Sequence, residues 1–404
     1  MPSRLPLLFI LITVVIDSMG IGLILPVMPA LIREVEGGTL STAAVWGGVL
    51  ATIFAVMQFG FGPMIGSLSD RFGRRPVLLV ALFVMALDYL LMAVAHTIWL
   101  LVLGRVIGGI TAATQATAAA YVADVSAPEE KSANFGLIGA AFGVGFVLGP
   151  LIGGLLAEWG TRAPFYAAAA LAFANLVFGA LVLPESVTDR TRRAFAWRRA
   201  NPFRAFRHIG ALPGLARLMT ITFVYAVAFY VYPGVWAYFG AERFGWDERM
   251  IGLSLGLFGI SIALVQGVFM RPILRLLGER RAVTVGLGID VAMFVALGFV
   301  SNGWVALALT PLTALGSIAG PALNGIMSRT AADDQQGELQ GVLSSIHAVA
   351  TIFAPLIVTQ VFWAFTHAGA PIYLPGAPFL LSAVLTAACI AIFVGERRAR
   401  AVPS

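Results

Sequence analysis

Apolar positions in this chain come in long runs, each closed by a charged or a Gly/Pro cluster, at 5–32, 44–68, 76–96, 98–123, 133–157 and 163–183. Six more runs follow at 214–240, 249–270, 281–300, 303–328, 339–367 and 374–395. A bilayer core about 30 Å thick takes roughly 20 apolar residues per helical crossing. The pattern therefore predicts an all-α polytopic membrane protein with twelve membrane helices. A polar, Arg-rich stretch divides them, giving a six-helix bundle over 1–183, a linker over 184–213 and a second six-helix bundle over 214–404.

The two halves share a faint repeat. Asp70-Arg71-Phe72-Gly73-Arg74-Arg75 follows predicted helix 2, and Arg275-Leu276-Leu277-Gly278-Glu279-Arg280 follows helix 8. Positive charge then orients the bundle, because short Lys/Arg-rich loops stay cytoplasmic. One set of alternate loops holds Arg71, Arg74, Arg75, Lys131, Arg271, Arg275, Arg280, Arg281 and Arg329, with Arg190, Arg192, Arg193, Arg198, Arg199, Arg204 and Arg207 in the linker. The other set holds little beyond Arg33, Arg162, Arg243 and Arg249. Both termini and the linker are expected in the cytoplasm. The run at 5–31 contains Asp17 and has no small-x-small cleavage site after it, so it is expected to be retained as helix 1.

Composition agrees with this reading: 59% of residues are hydrophobic and 11% charged, against about 25% charged in soluble domains. The net charge of +6 comes from scattered arginines and forms no continuous basic face, so nucleic acid is excluded as a partner. A lone cysteine, Cys389, excludes an internal disulfide and Cys-based metal or redox motifs. No Walker loop or metal-ligand cluster appears, and no nucleophile–base pairing suggests an enzyme. The proton gradient is the expected energy source, with no cofactor and no metal site.

Asp17, Asp88, Arg105 and Asp290 lie well inside predicted helices. A charge at the bilayer centre costs at least about 2.5 to 3.5 kcal/mol, so such residues face the bundle interior and mark a transport path. At 1.5 Å per residue, Asp88 in helix 3 and Arg105 in helix 4 both sit roughly 10 to 14 Å below the outer surface, and they can pair. A carboxylate beside a guanidinium stays ionised, whereas one alone in an apolar cavity readily takes a proton. Helix movement that separates or joins such partners would couple protonation to alternating access. Asp290, in helix 9, is the repeat counterpart of Asp88, and both are expected to face a central cavity. A structural acceptor at Asp17 and a fixed structural pair at Asp88 and Arg105 are the alternatives.

Gln58, Gln115, Gln266 and Asn324 either line the same cavity or bond between helices, and Tyr230 and Trp236 offer stacking surfaces. His347 is the histidine inside a predicted helix. A neutral ring bonded to a neighbouring helix is expected there, with a proton site as the alternative.

Gly66-Ser67-Leu68-Ser69-Asp70-Arg71-Phe72-Gly73-Arg74-Arg75 resembles the signature loop of the major facilitator superfamily, in its place between helices 2 and 3. Gly145-Phe146-Val147-Leu148-Gly149-Pro150-Leu151-Ile152-Gly153-Gly154 in helix 5 resembles the motif of that superfamily's antiporter branches; a plain small-residue packing seam is the alternative. Further matches run along the chain: Ile16-Asp17-Ser18-Met19-Gly20-Ile21-Gly22 with Leu25-Pro26-Val27-Met28-Pro29, Met57-Gln58-Phe59, Gly104-Arg105-Val106, Met250-Ile251-Gly252-Leu253-Ser254-Leu255 and Gly337-Glu338-Leu339-Gln340-Gly341. Together they are similar to the tetracycline/proton antiporters.

That resemblance implies a major facilitator fold and outward proton/drug antiport, with Asp17, Asp88 and Asp290 binding the proton or a cationic, magnesium-chelated drug. It implies that Arg74 pairs with Asp124, that Asp70 faces the start of helix 11, and that this cluster latches one conformation. A monomer in the bacterial inner membrane is expected, with magnesium only as part of a drug chelate. One position departs from the pattern. Helix 8 of the tetracycline branch reads Phe-Gly-Ile-x-His, and here the run is Phe258-Gly259-Ile260-Ser261-Ile262, so Ile262 stands at the histidine. Export of a different drug or metabolite, or a membrane sensor that moves nothing, are the rival readings.

Overall fold

The computed structural model describes residues 5–112, 114–127, 130–188, 192, 201, 214–332 and 335–401, without the side chains of Gln115, Ser132 and residues 396–401. The linker arginines Arg190, Arg193, Arg198, Arg199, Arg204 and Arg207 lie outside the described residues.

Twelve of its helices are long and apolar enough to cross a membrane. In chain order they are α1 (Leu5–Ile24), α2 (Leu40–Phe72), α3 (Arg74–Ala93), α4 (Ile98–Val125), α5 (Ala133–Trp159) and α6 (Ala163–Val182). The second half supplies α7 (Ala216–Phe244), α8 (Glu248–Leu277), α9 (Glu279–Phe299), α10 (Gly303–Thr330), α11 (Gln336–Thr366) and α12 (Ala377–Gly395). Only helices and closed barrels satisfy all their backbone polar groups in hydrocarbon, so a chain this apolar resolves into helices. Trp99, Trp159 and Trp304 are 70%, 82% and 71% exposed at the start of α4, the end of α5 and the start of α10. In an up-and-down bundle the first two of these ends, both in one compact unit, fall on one side, where indole rings settle at the headgroup level.

The element α2 is longer than its apolar run. It starts beside Thr39, whose hydroxyl accepts from the Thr42 amide at 3.3 Å, and it continues through Ser69 and Asp70. Gly73, at φ +112°, ends it with a conformation that a side chain would resist. Three spans are broken. Helix α4 runs as Ile98–Thr111 and Thr114–Val125, α7 as Ala216–Phe229 and Val231–Phe244, and α10 as Gly303–Gly316 and Ala319–Thr330. In α8 the run Val265–Phe269 widens to a π-helix.

By contacts the chain forms two compact units. The first comprises Met1–Gly38, Ile53–Pro202 and Glu248–Gly256, and the second Thr39–Thr52, Phe203–Asp247 and Leu257–Ser404. Within the first, α1 packs on α5 and α6, and α3 packs on α6 and α4. Its core is built on Phe9, Ile10, Val14, Leu78, Leu82 and Tyr121. Within the second, α9 packs on α12 and α10, and α7 on α12 and α11. Leu218, Ile221, Val283, Leu287, Leu323 and Met327 fill its centre, and Cys389 is buried there as a small apolar residue.

Candidate functional site

In each unit a carboxyl lies on glycines of the next helix. Asp88 of α3 projects onto α4, where a Cβ on Gly104 would come 2.7 Å from its Oδ1 and one on Gly108 2.5 Å from its Oδ2. Asp290 of α9 projects onto α10, where a Cβ on Gly316 would meet its carboxyl. Close approach of a helix backbone to an acid demands that lack of a side chain. Both carboxyls sit near a break: α4 is interrupted after Thr111 and α10 after Gly316.

The partners differ. Arg105 donates from Nη2 to Asp88 Oδ2 at 3.1 Å and also contacts the Met92 sulfur. Its guanidinium lies 5.3 Å from the centroid of the Phe54 ring, a cation–π arrangement. Asp88 keeps 5% exposure. Asp290 keeps 0% and receives the Tyr225 hydroxyl on Oδ2 at 2.9 Å, while its Oδ1 has no hydrogen-bond partner among the described residues. Neither carboxyl therefore lies open on a cavity wall as the sequence suggested: each is enclosed within its own unit, because a membrane-depth charge is better solvated by protein polar groups than left bare.

Asp17 of α1 is partly exposed. Its neighbour in electrostatic reach is Tyr89 of α3, which also stands close to Asp88 and Arg105. A Cβ on Gly20 would strike the Tyr89 ring, so α1 and α3 cross closely just past Asp17. The glycines of α5 fix α1 on its other side. A Cβ on Gly145 would come 2.9 Å from the Met19 nitrogen, one on Gly149 2.7 Å from Gly22 Cα, and one on Gly153 2.8 Å from Leu23 Cα. A Cβ on Gly154 would come 3.1 Å from Gly252 Cα at the start of α8. Pro150 lies inside the helix and contacts Gly22. These small residues form a packing seam that sets the height of Asp17.

Of the neutral candidates, Gln58 donates from Nε2 to the Ala112 carbonyl at 3.1 Å, satisfying an acceptor freed by the break in α4. Gln266 and Asn324 are exposed on α8 and α10, Tyr230 is partly buried at the break in α7, and the side chain of Gln115 is outside the described residues. Trp236 is 4% exposed and enclosed by Tyr232, Phe239, Trp246 and Phe379, so it serves an aromatic core instead of a stacking surface. Among the described residues His347 bonds no neighbouring helix. Its Nδ1 lies 2.8 Å from the Leu343 carbonyl one turn back in α11, a partner always within reach of a helical side chain.

At the loop between α2 and α3, Arg74 binds Asp70 Oδ1 from Nη1 at 2.6 Å and donates from Nε to Asp124 Oδ2 at 3.2 Å. Ser69 takes Nη1 as well, at 2.6 Å, and Ser186 donates to Asp124 at 3.1 Å. Arg71 is exposed, its guanidinium over the Phe72 ring. Gly66 sits one turn before Asp70, and its carbonyl accepts from the Ser69 hydroxyl at 2.8 Å. Sequence reasoning missed Glu185. Its carboxylate accepts from the amides of Arg74 and Arg75, at 2.8 and 3.2 Å, capping α3 where the helix dipole favours negative charge. The acid directly after Pro184, at the end of an apolar run, was the available signal. The corresponding loop of the second unit is simpler: Gly278 at φ +71° precedes α9, and Glu279 binds the Arg329 guanidinium.

The sequence pattern of the Major Facilitator Superfamily matches residues 10–355. The chain belongs to the major facilitator superfamily. The class C tetracycline resistance protein of Escherichia coli is 42% identical over 90% of this chain and 91% of its own length. The class E protein of Escherichia coli is 39% identical over 86% and 85%. Among solved structures, the human organic anion transporter MFSD10 (TETRAN) superposes with a TM-score of 0.69 at 24% identity, over 97% of this chain and 100% of that one, a likeness of fold alone. This major facilitator chain is thus a multi-pass membrane transporter and not an enzyme. Among its described residues no three His, Cys, Asp or Glu side chains gather as a metal site.

Proposed function

We propose that this chain is a proton-coupled antiporter that exports a tetracycline-type drug by alternating access. The observation that carries the reading is the set of three acids held within apolar membrane helices, Asp17, Asp88 beside Arg105, and Asp290 beside Tyr225, in a chain 42% identical to a protein named for tetracycline resistance. Protonation of a buried acid removes a charge that low-dielectric surroundings penalise. A cationic drug complex and a proton can thus compete for the same carboxylates, and occupation by one discharges the other.

The bundles 1–183 and 214–404, joined by the linker 184–213, are the halves that move. The cluster of Asp70, Arg74 and Asp124 acts as the latch, with Gly66, Arg71 and Gly73 shaping the turn. Gly145, Gly149, Pro150 and Gly153 hold helices 1 and 5 together through the cycle, and Gly154 admits the start of helix 8. Gln58 supports the fourth helix, and His347 lies off the proton path. The transporter works as a monomer in a bacterial inner membrane, both termini cytoplasmic, and magnesium enters only with the drug.

A second reading keeps the fold and the proton coupling and changes the cargo to another drug or a metabolite; Ile262, standing where the tetracycline branch has histidine, favours it. Proteoliposomes given tetracycline with magnesium separate the two. Drug-driven proton release that disappears in Asp88→Asn and Asp290→Asn supports tetracycline export. Silence toward tetracycline, with pH-driven uptake of another compound, supports the second reading, and no pH-driven transport of any compound would refute both.

A further inference from the structure

Asp290 has no exposed surface, yet the proposed antiport requires a proton to reach it. The side chains around it narrow the route. From α7 come Tyr225, bonded to Oδ2, and Tyr232, which has Thr313 of α10 beside it; from α10 comes Gly316; from α12 comes Cys389, near the Tyr225 hydroxyl. No lysine, arginine or histidine is paired with Asp290 among the described residues. Tyr225 alone combines two properties: it is partly exposed, and its hydroxyl touches the carboxyl.

We propose that Tyr225 is the proton relay to Asp290. The inference rests on the reading of Asp290 as a proton-exchanging acid. A hydronium ion gives a proton to the tyrosine oxygen as the existing O–H proton passes to Asp290 Oδ2, so two O–H bonds form, on tyrosine and on Asp290, and two break, on the hydronium and on tyrosine, leaving water. The tyrosine ends neutral, and the acid ends neutral from an anion. Release runs the same exchange backward. Between events the O–H donates to the carboxylate and compensates its removal from water.

The test needs no drug. Purified, lipid-reconstituted protein is taken through a pH jump and the carboxyl C=O infrared band of protonated acids is followed in time, with Asp290→Asn identifying the band that belongs to Asp290. In Tyr225→Phe this band is expected to appear about a hundredfold more slowly, as loss of a proton-transfer group does elsewhere. The pH at which it is half-formed should also rise by about one unit, since the ionised acid has lost its donor. Tyr225→His restores a protic side chain and should recover much of the rate, which also covers the case of a poorly folded phenylalanine variant. An unchanged rate in Tyr225→Phe overturns the relay while leaving Asp290 in its role. Equal slowing in the phenylalanine and histidine variants overturns it too, by assigning Tyr225 a packing function. If no titrating band is removed by Asp290→Asn, the reading of Asp290 itself fails.

Discussion

Asp88 and Asp290 occupy matching places in the two units, each lying on helix glycines beside a break, but one faces a guanidinium and the other a phenol. The difference decides what each can do. Protonating Asp88 would leave the Arg105 cation, 11% exposed, without its counter-charge. Protonating Asp290 leaves only neutral groups behind. An acid held beside a cation in the first unit and an acid among neutral groups in the second follow from the same architecture with one partner changed.

The sharpest way to break this comparison is to neutralise both acids in turn. Asp88→Asn strands a buried cation, and removal of one partner of a buried pair costs about 3 to 5 kcal/mol. Asp290→Asn keeps an acceptor for Tyr225, and its cost should stay below about 1 kcal/mol. Thermal unfolding in detergent should show a large drop for the first and a small one for the second, although both stop proton exchange. Equal drops would mean that Asp290 also neutralises a cation, and the contrast between the units would collapse.

Next in size is Gly316→Ala. The added methyl meets the enclosed Asp290 carboxyl, and overpacking of this kind typically costs about 1 to 3 kcal/mol. On Gly316 the methyl meets both oxygens and Cγ of Asp290, whereas Gly104→Ala meets Asp88 at Oδ1 alone, 2.7 Å from the new Cβ. Its cost should be smaller. Unfolding curves and the infrared band of Asp290 measured on both variants test the order, which reverses if α10 yields more easily than α4.

How much of this was legible in the chain depends on the range of the interaction. The twelve spans follow from hydropathy, because each helix satisfies its own backbone. The pairing of Asp88 with Arg105 followed from simple depth arithmetic on adjacent helices. Tyr225 could not be found that way: a tyrosine inside an apolar run reads as core, and its partner is 65 residues distant. The break in α4 was hidden for a similar reason. No proline marks it, and it is supported from another helix by Gln58 through the Ala112 carbonyl. Asp124 was reached only through family resemblance, whereas Glu185 was overlooked because an acid after Pro184 looks like the start of a solvated linker.

The loops below the two acids extend the comparison to smaller energies. Glu185 accepts from four backbone amides, those of Arg74, Arg75, Ser186 and Val187. Glu185→Gln removes the charge and one acceptor oxygen, and should cost about 1 kcal/mol, comparable with loss of a helix cap. Measured by heat unfolding, the loss should persist at high salt, since capping bonds depend on geometry as much as on charge.

The smallest effect belongs to Arg329→Gln. Its guanidinium is 65% exposed and meets Glu279 alone among the acids of the described residues, so solvent screening and the entropy of a long side chain leave about 0 to 1 kcal/mol, vanishing with added salt. Arg74→Gln is the matched test, because that guanidinium is 13% exposed and serves Asp70, Asp124 and Ser69 together. Three acceptors lose their donor at once, and two carboxylates are left facing each other without a cation. The Arg74 variant should therefore lose stability and drug-driven proton release in low and high salt alike, whereas the Arg329 variant should track wild type in both. Should Arg329→Gln prove the more damaging, the second loop would carry a latch of its own, and the asymmetry between the units would be confined to the buried acids.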